Sequence, residues 1–321
     1  MARTVVRLFA LLLGFGATAA SAQFPSRPVT LVVGFAPGGG TDTVARLMQP
    51  RLGEALGQQV VVDNKAGAGG AIATDFVAKS PADGHTVLLG NIGSLTVAPY
   101  TIAKLPYDPM RDLAPITMAV VFANVIAVHA DVPARSLADL VKLARDKPGT
   151  VTYGSSGING AAHLAGEMLK VMSKADLVHV PYKGGGPAMQ ALLGKQTLAA
   201  ILTPVSAIPH IKAGTIRALA TTGAKRATLM PDVPTVAEQG YPGYEAINWY
   251  AFMAPAKTPR EVVQRLHRDL THVMGLPEVR DGFNKQGLEP SPGTPEDLAR
   301  YMQREYETWG RVVKEAGIKA Q

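Results

Sequence analysis

The chain has 321 residues, 47% of them hydrophobic and 18% charged, a balance that fits a globular protein and excludes a disordered one. Its formal charge is +7, or +5 without Arg3 and Arg7, and the excess is scattered with no basic run among aromatics, so nucleic acid is not an expected partner. There is no cysteine, which excludes disulfides, thiolate metal sites and cysteine nucleophiles.

The first segment, residues 1–22, sets Arg3 and Arg7 ahead of an apolar run that closes on Ala20-Ser21-Ala22, the layout of a secretory signal peptide. The mature chain is expected to start near Gln23. The apolar run is too short to span a bilayer comfortably, and no second run of about 18 apolar residues follows, so an exported soluble protein is expected. The roughly 300 residues that remain exceed one ordinary core and point to two domains.

Strand-like and helix-like segments then alternate. Val29–Ala36 reads as a buried strand, Thr41–Leu56 as a helix, Val60–Asp63 as a strand, Gly70–Ser80 as a helix and Thr86–Gly90 as a third strand. A second module begins at 124-NVIAV-128, after the extended 116-ITMAVVFA-123. Ser136 there caps a helix over 136–149, with Asp139 at the capping-box position. Strand, small-residue turn and helix recur in 151–172 and 177–194, and Leu198–Leu202 and Ile216–Thr221 complete the module as strands. Residues 246–255 read as extended. Helices opened by proline then occupy Pro259–Met274, Pro277–Gln286 and Pro295–Ala316, and are expected to pack on the first module. The chain would thus cross between modules twice, with a ligand cleft between them.

The turn 34-GFAPGGGT-41 follows a strand and opens a helix, which makes it a candidate anion site. Against the phosphate-loop template, Gly40 stands where a lysine must reach the phosphates. Against the dinucleotide template, Gly38 and Gly40 fit and Asp63 ends the next strand, but Thr43 occupies the third glycine position. Three more such turns, 67-GAGG-70, 154-GSSGING-160 and 183-KGGGPA-188, also open helices. They hold little charge, so a guest would rest on backbone N–H groups and on the hydroxyls of Thr41, Ser155, Ser156 and Tyr182. That chemistry suits a carboxylate better than a polyphosphate.

Catalytic constellations are weak. His129, His163 or His179 could pair with Ser155 or Ser156, but the nucleophile-elbow motif is missing, and His163 on an early helical turn reads as a packing or loop-bonding residue. No metal-ligand spacing occurs. Trp249 and Tyr250 are either core residues or an aromatic wall of the cleft.

The segments 27-RPVTLVVGFAPGGGTDTVARLM-48, 60-VVVDNKAGAGGAIA-73, 81-PADGHTVLLGN-91, 105-LPYDPMRDLAPIT-117, 163-HLAGE-167, 178-VHVPYKGGGPA-188, 209-PHIKAGTIRALA-220 and 231-PDVPTVAEQGYPGYE-245 together resemble the Bug family. These TctC-like proteins are the periplasmic substrate-binding components of tripartite tricarboxylate transporters. The resemblance spans essentially the whole mature chain. It implies an α/β type II periplasmic-binding-protein fold, with two α/β domains joined by two crossing strands. Residues 23–123 plus 250–321 would form one domain and 124–249 the other. It also implies a monomeric, non-enzymatic protein without cofactor or metal that closes on a small organic acid and hands it to membrane transporter subunits. Carried onto this chain, the ligand-binding positions are Phe35, Ala36, Gly39, Thr41 and Asp42 on one side and Ser156, Asn159, His163, Tyr182, Lys183 and Gly184 on the other. Gly69, Gly70, Asn91 and Ser94 match the flanking turns and Trp249 an aromatic near the hinge. Thr203 stands where some relatives carry a carboxylate, which disfavours an amino-acid ligand. An exported α/β hydrolase working at 154-GSSGING-160, and a ligand sensor for a signalling partner, are the alternatives.

Overall fold

The computed structural model describes residues 24–315 and residue 320; the expected signal peptide lies outside the described residues. Two separate sheets organise the chain. The first has six strands in the order β11-β4-β10-β3-β1-β2 and the second has five in the order β7-β6-β8-β5-β9.

In the first sheet β1 (Val29–Val33) is parallel to both β2 (Val60–Asn64) and β3 (Thr86–Asn91), while β10 (Ile247–Pro255) runs antiparallel to β3 and to β4 (Leu113–Ala123). The short β11 (Glu289–Pro290) closes one edge against β4. Parallel neighbours need crossovers, here supplied by α1 (Gly40–Leu56) and α2 (Ala71–Ala78). Strands β1 and β3 are buried on both faces, which explains their nearly unbroken apolar runs. A π-helical turn (Gly93–Val97), α3 (Ala98–Thr101) and α4 (Pro109–Asp112) lead into β4.

The second sheet sets β6 (Val151–Ser155) parallel to β7 (Leu177–Pro181) and β8 (Ala199–Leu202), with β5 (Val125–His129) antiparallel to β8 and to β9 (Ile216–Thr221). Its helices are α5 (Leu137–Asp146), α6 (Ala161–Ser173), α7 (Gly185–Leu193) and α8 (Pro204–Lys212). The C-terminal helices α9 (Arg260–Gly275), α10 (Pro277–Lys285) and α11 (Pro295–Glu315) return to the first sheet. Val262, Leu266 and Leu270 of α9 share a core with Val29, Leu31 and Val33, and Leu298, Met302 and Trp309 of α11 share another with Leu88 and Trp249.

The chain passes from one sheet to the other at Asn124 and back ahead of Ile247, because β10 already pairs with Ala123 at Ile247. Thr222 ties both passages together. Its Oγ1 accepts from Asn124 N–H and donates to Ala246 O, each at 2.8 Å, while its own N–H donates to Asn124 O at 3.0 Å. All of this occurs at a fully buried position.

Differences from the sequence reading are local. Strand β1 stops at Val33 because the chain turns into the glycine loop, and α8 was not foreseen because Pro209 lies inside it. Pro204 at the first helical position and the Ala213-Gly214 stop were the signals present.

Candidate functional site

Four strands, β1, β6, β7 and β8, end on the same side and feed helices whose N-termini meet between the sheets. In an open α/β sheet this is where ligands sit, beyond the carboxyl ends of the strands. The first residues of α1, α6 and α7, namely Gly40, Ala161 and Gly185, line one small chamber of about 10 Å³ together with Thr203, the N-cap of α8. The N-caps of α1, α6 and α7 are Gly39, Gly160 and Gly184, and none offers a side-chain oxygen to the free helical N–H groups. Unsatisfied donors and the positive ends of three helix dipoles therefore converge on one point. The rest of the lining is Phe35, Gly39, Thr41, Asn91, Ser156, Gly160, Asn248 and Tyr250, so among the described residues no ionised side chain enters the chamber.

A second, more exposed chamber of about 170 Å³ shares Phe35 and Ser156 with the first and adds Gly69, Tyr182 and Lys183. A larger cavity of about 720 Å³ lies along the strand crossing, beside Phe122, Lys225, Glu245 and Glu289. Apart from Pro204, its lining includes no residue from the four helix N-termini, so the smaller chambers are the candidate site despite their size.

Asp42 does not face either chamber. Its buried carboxylate accepts from Gly38 N–H at 3.0 Å, from Arg46 Nε at 2.9 Å and from Asn64 Nδ2 at 3.0 Å, and Asn64 also donates to Phe35 O. Burial opposes the charge, but the hydrogen bonds from Arg46, Gly38 and Asn64 outweigh it and hold the carboxyl below its ordinary range. The expected ligand contact is thus a lock on the glycine loop. This also explains how an acid in the first turn of α1 leaves the chamber uncharged.

Asn91 organises the flanking turn. With its amide oriented to satisfy its neighbours, Nδ2 donates to Ser94 Oγ at 3.0 Å and Gly69 O at 3.2 Å, and Oδ1 accepts from Gly93 N–H at 3.3 Å. Gly69 must be glycine: its φ is +64°, and a Cβ there would sit 2.3 Å from Ile158 O of the opposite lobe. Gly70 and Ser94 support this turn from behind and line neither chamber.

The two lobes touch directly. Ala36 N–H donates to Lys183 O at 3.0 Å across the cleft, Gly184 packs on Ala36, and Gly40 lies close to Thr203. On the second lobe Ser156 reaches both chambers, whereas Asn159, His163 and Gly184 reach neither. Asn159 is buried at φ +66° and its N–H donates to His163 Nδ1 at 3.2 Å, so His163 is the loop-bonding residue the sequence suggested.

Trp249, which the sequence leaves between core and cleft wall, belongs to the core and is not the ligand contact that the resemblance implies. It is fully buried, and its Nε1 donates to Glu305 Oε2 at 3.2 Å, an oxygen that also accepts from Trp309 Nε1 at 3.1 Å. Strand alternation makes the neighbours, Asn248 and Tyr250, the residues that line the chamber. The sequence signal was a polar asparagine in an otherwise apolar strand. Gly40, Gly160 and Gly185 lie in the glycine turns that the sequence marks as candidate anion sites, but like Ala161 they are not among the ligand positions that the resemblance implies.

The fold and this site define a two-lobed solute-binding protein. The family described as "Tripartite tricarboxylate transporter family receptor" matches residues 44–318, and the chain belongs to that family. The solved periplasmic binding protein BugD is 34% identical, with a TM-score of 0.90 over 93% of this chain and 100% of its own. An R. palustris protein solved with adipate is 38% identical, with a TM-score of 0.89 over 93% of this chain and 100% of its own. MatC from Rhodopseudomonas palustris, solved with bound malate, is 31% identical, with a TM-score of 0.87 over 90% and 100%. BugD is a periplasmic binding protein, and this chain, a member of the receptor family, is a solute-binding protein and not an enzyme.

Proposed function

We propose that this chain works in the periplasm, captures a small organic acid by its carboxylate and delivers it to a tripartite tricarboxylate-type membrane transporter. The observation that carries the reading is the meeting of three glycine-capped helix N-termini, from both lobes, in a chamber that no ionised side chain among the described residues enters. Oriented N–H groups replace the hydration of an anion, and a carboxylate held this way needs no counter-charge if every oxygen finds a donor. Adipate in one structural neighbour and malate in another support a carboxylate as the guest. Lys183, beside the more exposed chamber, then suits the distal end of a diacid.

In this reading residues 23–123 with 250–321 and residues 124–249 form two lobes that hinge at the crossings, and the glycine-loop residues with Ser156, Tyr182 and Thr203 contact the ligand. Closure around the acid creates the surface that a transporter subunit recognises. The test is the melting temperature of residues 23–321 against di- and tricarboxylates, aromatic acids, acidic amino acids, NAD and ATP. A ligand at 100 times its dissociation constant adds about 2.7 kcal/mol, a shift on the order of a few degrees. The expected result is a shift with carboxylates alone; a shift with NAD or ATP alone overturns the reading.

A further inference from the structure

Behind the 156–160 turn lies a buried polar cluster that touches neither chamber. His163 and His179 stack with ring centroids 4.2 Å apart, and Tyr153 lies 5.0 Å from His179. His179 Nε2 is 2.6 Å from Ser155 Oγ, and Ser155 is fully buried. The same oxygen accepts from Gly157 N–H at 3.2 Å and lies 3.0 Å from Gly157 O. The hydroxyl has one proton and two acceptors in reach, Gly157 O and His179 Nε2, so which of them it serves sets the tautomer of His179. Asn159 N–H donates to His163 Nδ1, so that nitrogen must be unprotonated and His163 is the Nε2–H tautomer.

The turn held in this way is the second lobe's lip. It contributes Ser156 to both chambers, and its Ile158 and Asn159 carbonyls face Gly69 and Gly93 of the first lobe. Two of its residues, Gly157 at φ +145° and Asn159 at φ +66°, sit in backbone regions that need support. We propose that His163 and His179 are positioning residues for this lip: as uncharged imidazoles they hold its ligand-facing shape, and acid releases it by placing a second proton on Nδ1 of His163.

A proton there meets the Asn159 N–H donor head-on. The groups that face the pair are Glu167 and Lys170 from α6 and the Tyr153 hydroxyl from β6. Glu167 Oε1 lies 3.9 Å from His163 Nε2, and the Tyr153 hydroxyl donates to Glu167 at 3.0 Å. Lys170 sits 3.0 Å from Glu167 and offsets much of its pull on the ring. Burial lowers the basicity of His163, with Glu167 opposing, and burial, His163 and Lys170 together hold His179 down to about 3. Ligand release by acid is the consequence if the chain binds as proposed above, so the inference rests on that reading for its purpose.

The experiment uses the ligand-free protein. Between the ordinary histidine value of 6.5 and the lowered folded one, opening of the lip gains one proton, so protection of the Asn159 amide against hydrogen exchange should fall about tenfold per pH unit. The Leu31 amide in β1 should hold its protection over the same range, which separates lip opening from unfolding. His163→Asn places an amide oxygen near the Nδ1 position and does not titrate, so its Asn159 protection should stay flat. Ring ¹⁵N shifts of the wild-type protein, which need no variant, should show His163 neutral and Nε2-protonated at pH 6. A flat wild-type profile, an equal slope in His163→Asn, or a charged His163 at pH 6 overturns the proposal. A silent carboxylate panel counts only against the binding reading.

Discussion

Asp42 shows how a charged residue in a binding loop serves the site without entering it. Its three donors fix the loop from Phe35 to Gly38, and removing the charge leaves a buried set of donors poorly matched. Arg46 is half exposed, so the ion pair itself contributes little and the buried hydrogen bonds carry the effect. Asp42→Asn should therefore cost about 1–3 kcal/mol in urea unfolding at pH 7. The sign in acid follows from the lowered folded value: this stability is fully present above the unfolded value of 3.8 and is lost as pH falls through the folded one. The gap between wild type and Asp42→Asn should hold from pH 7 to 5 and close below about 4. A gap that does not narrow as pH falls below 3.8 would sink the assignment.

Among helices, α5 starts with a side-chain cap and the three at the site do not. Helix α5, away from the chambers, begins with a complete capping box in which Ser136 Oγ accepts from Asp139 N–H and the Asp139 carboxylate accepts from Ser136 N–H. Helices α1, α6 and α7, at the site, begin with glycine and no side-chain cap. Gly160 has φ −73° and ψ 163°, the geometry of an ordinary N-cap, and a Cβ there would approach nothing nearer than 3.8 Å. A serine therefore fits at this position without strain. Gly160→Ser should raise stability by a few tenths of a kcal/mol and weaken carboxylate binding, because its hydroxyl occupies the donors the ligand needs. Ser136→Ala should do the converse, losing about 1 kcal/mol with unchanged affinity. Unfolding curves and calorimetric titration with the acid that gives the largest thermal shift decide both.

For the whole molecule, the seam between lobes is set by backbone proximity. Gly69 meets Ile158 O, Gly93 meets Asn159 O, and Ala36 bonds Lys183 O. Ala161 and Leu164 of α6 also join the core formed by Ile92, Leu95 and Trp249, so the seam buries apolar surface as well. Gly69→Ala puts a methyl into the seam at a distance no real contact allows, and wedges the closed form specifically. Small-angle scattering should show a wild type that contracts on binding and a variant that does not. The variant's affinity should fall by about tenfold or more, equivalent to about 1.4 kcal/mol. A variant that closes and binds normally would mean the seam yields by backbone shift.

The sequence by itself determined the alternation of strands and helices and the glycine turns after β1, β6 and β7. Apolar periodicity and turn chemistry are local properties that each segment states for itself. It could not say that Trp249 points into the core while Tyr250 points to the chamber, since a strand's alternation gives opposite faces without naming which is the cleft. Nor could it turn Asp42 inward, because the partner that turns it, Asn64, arrives from another strand. The meeting of three helix N-termini was decided by tertiary structure alone. The donors there are backbone N–H groups, identical in every residue but proline, and only the packing of two sheets brings their positions together.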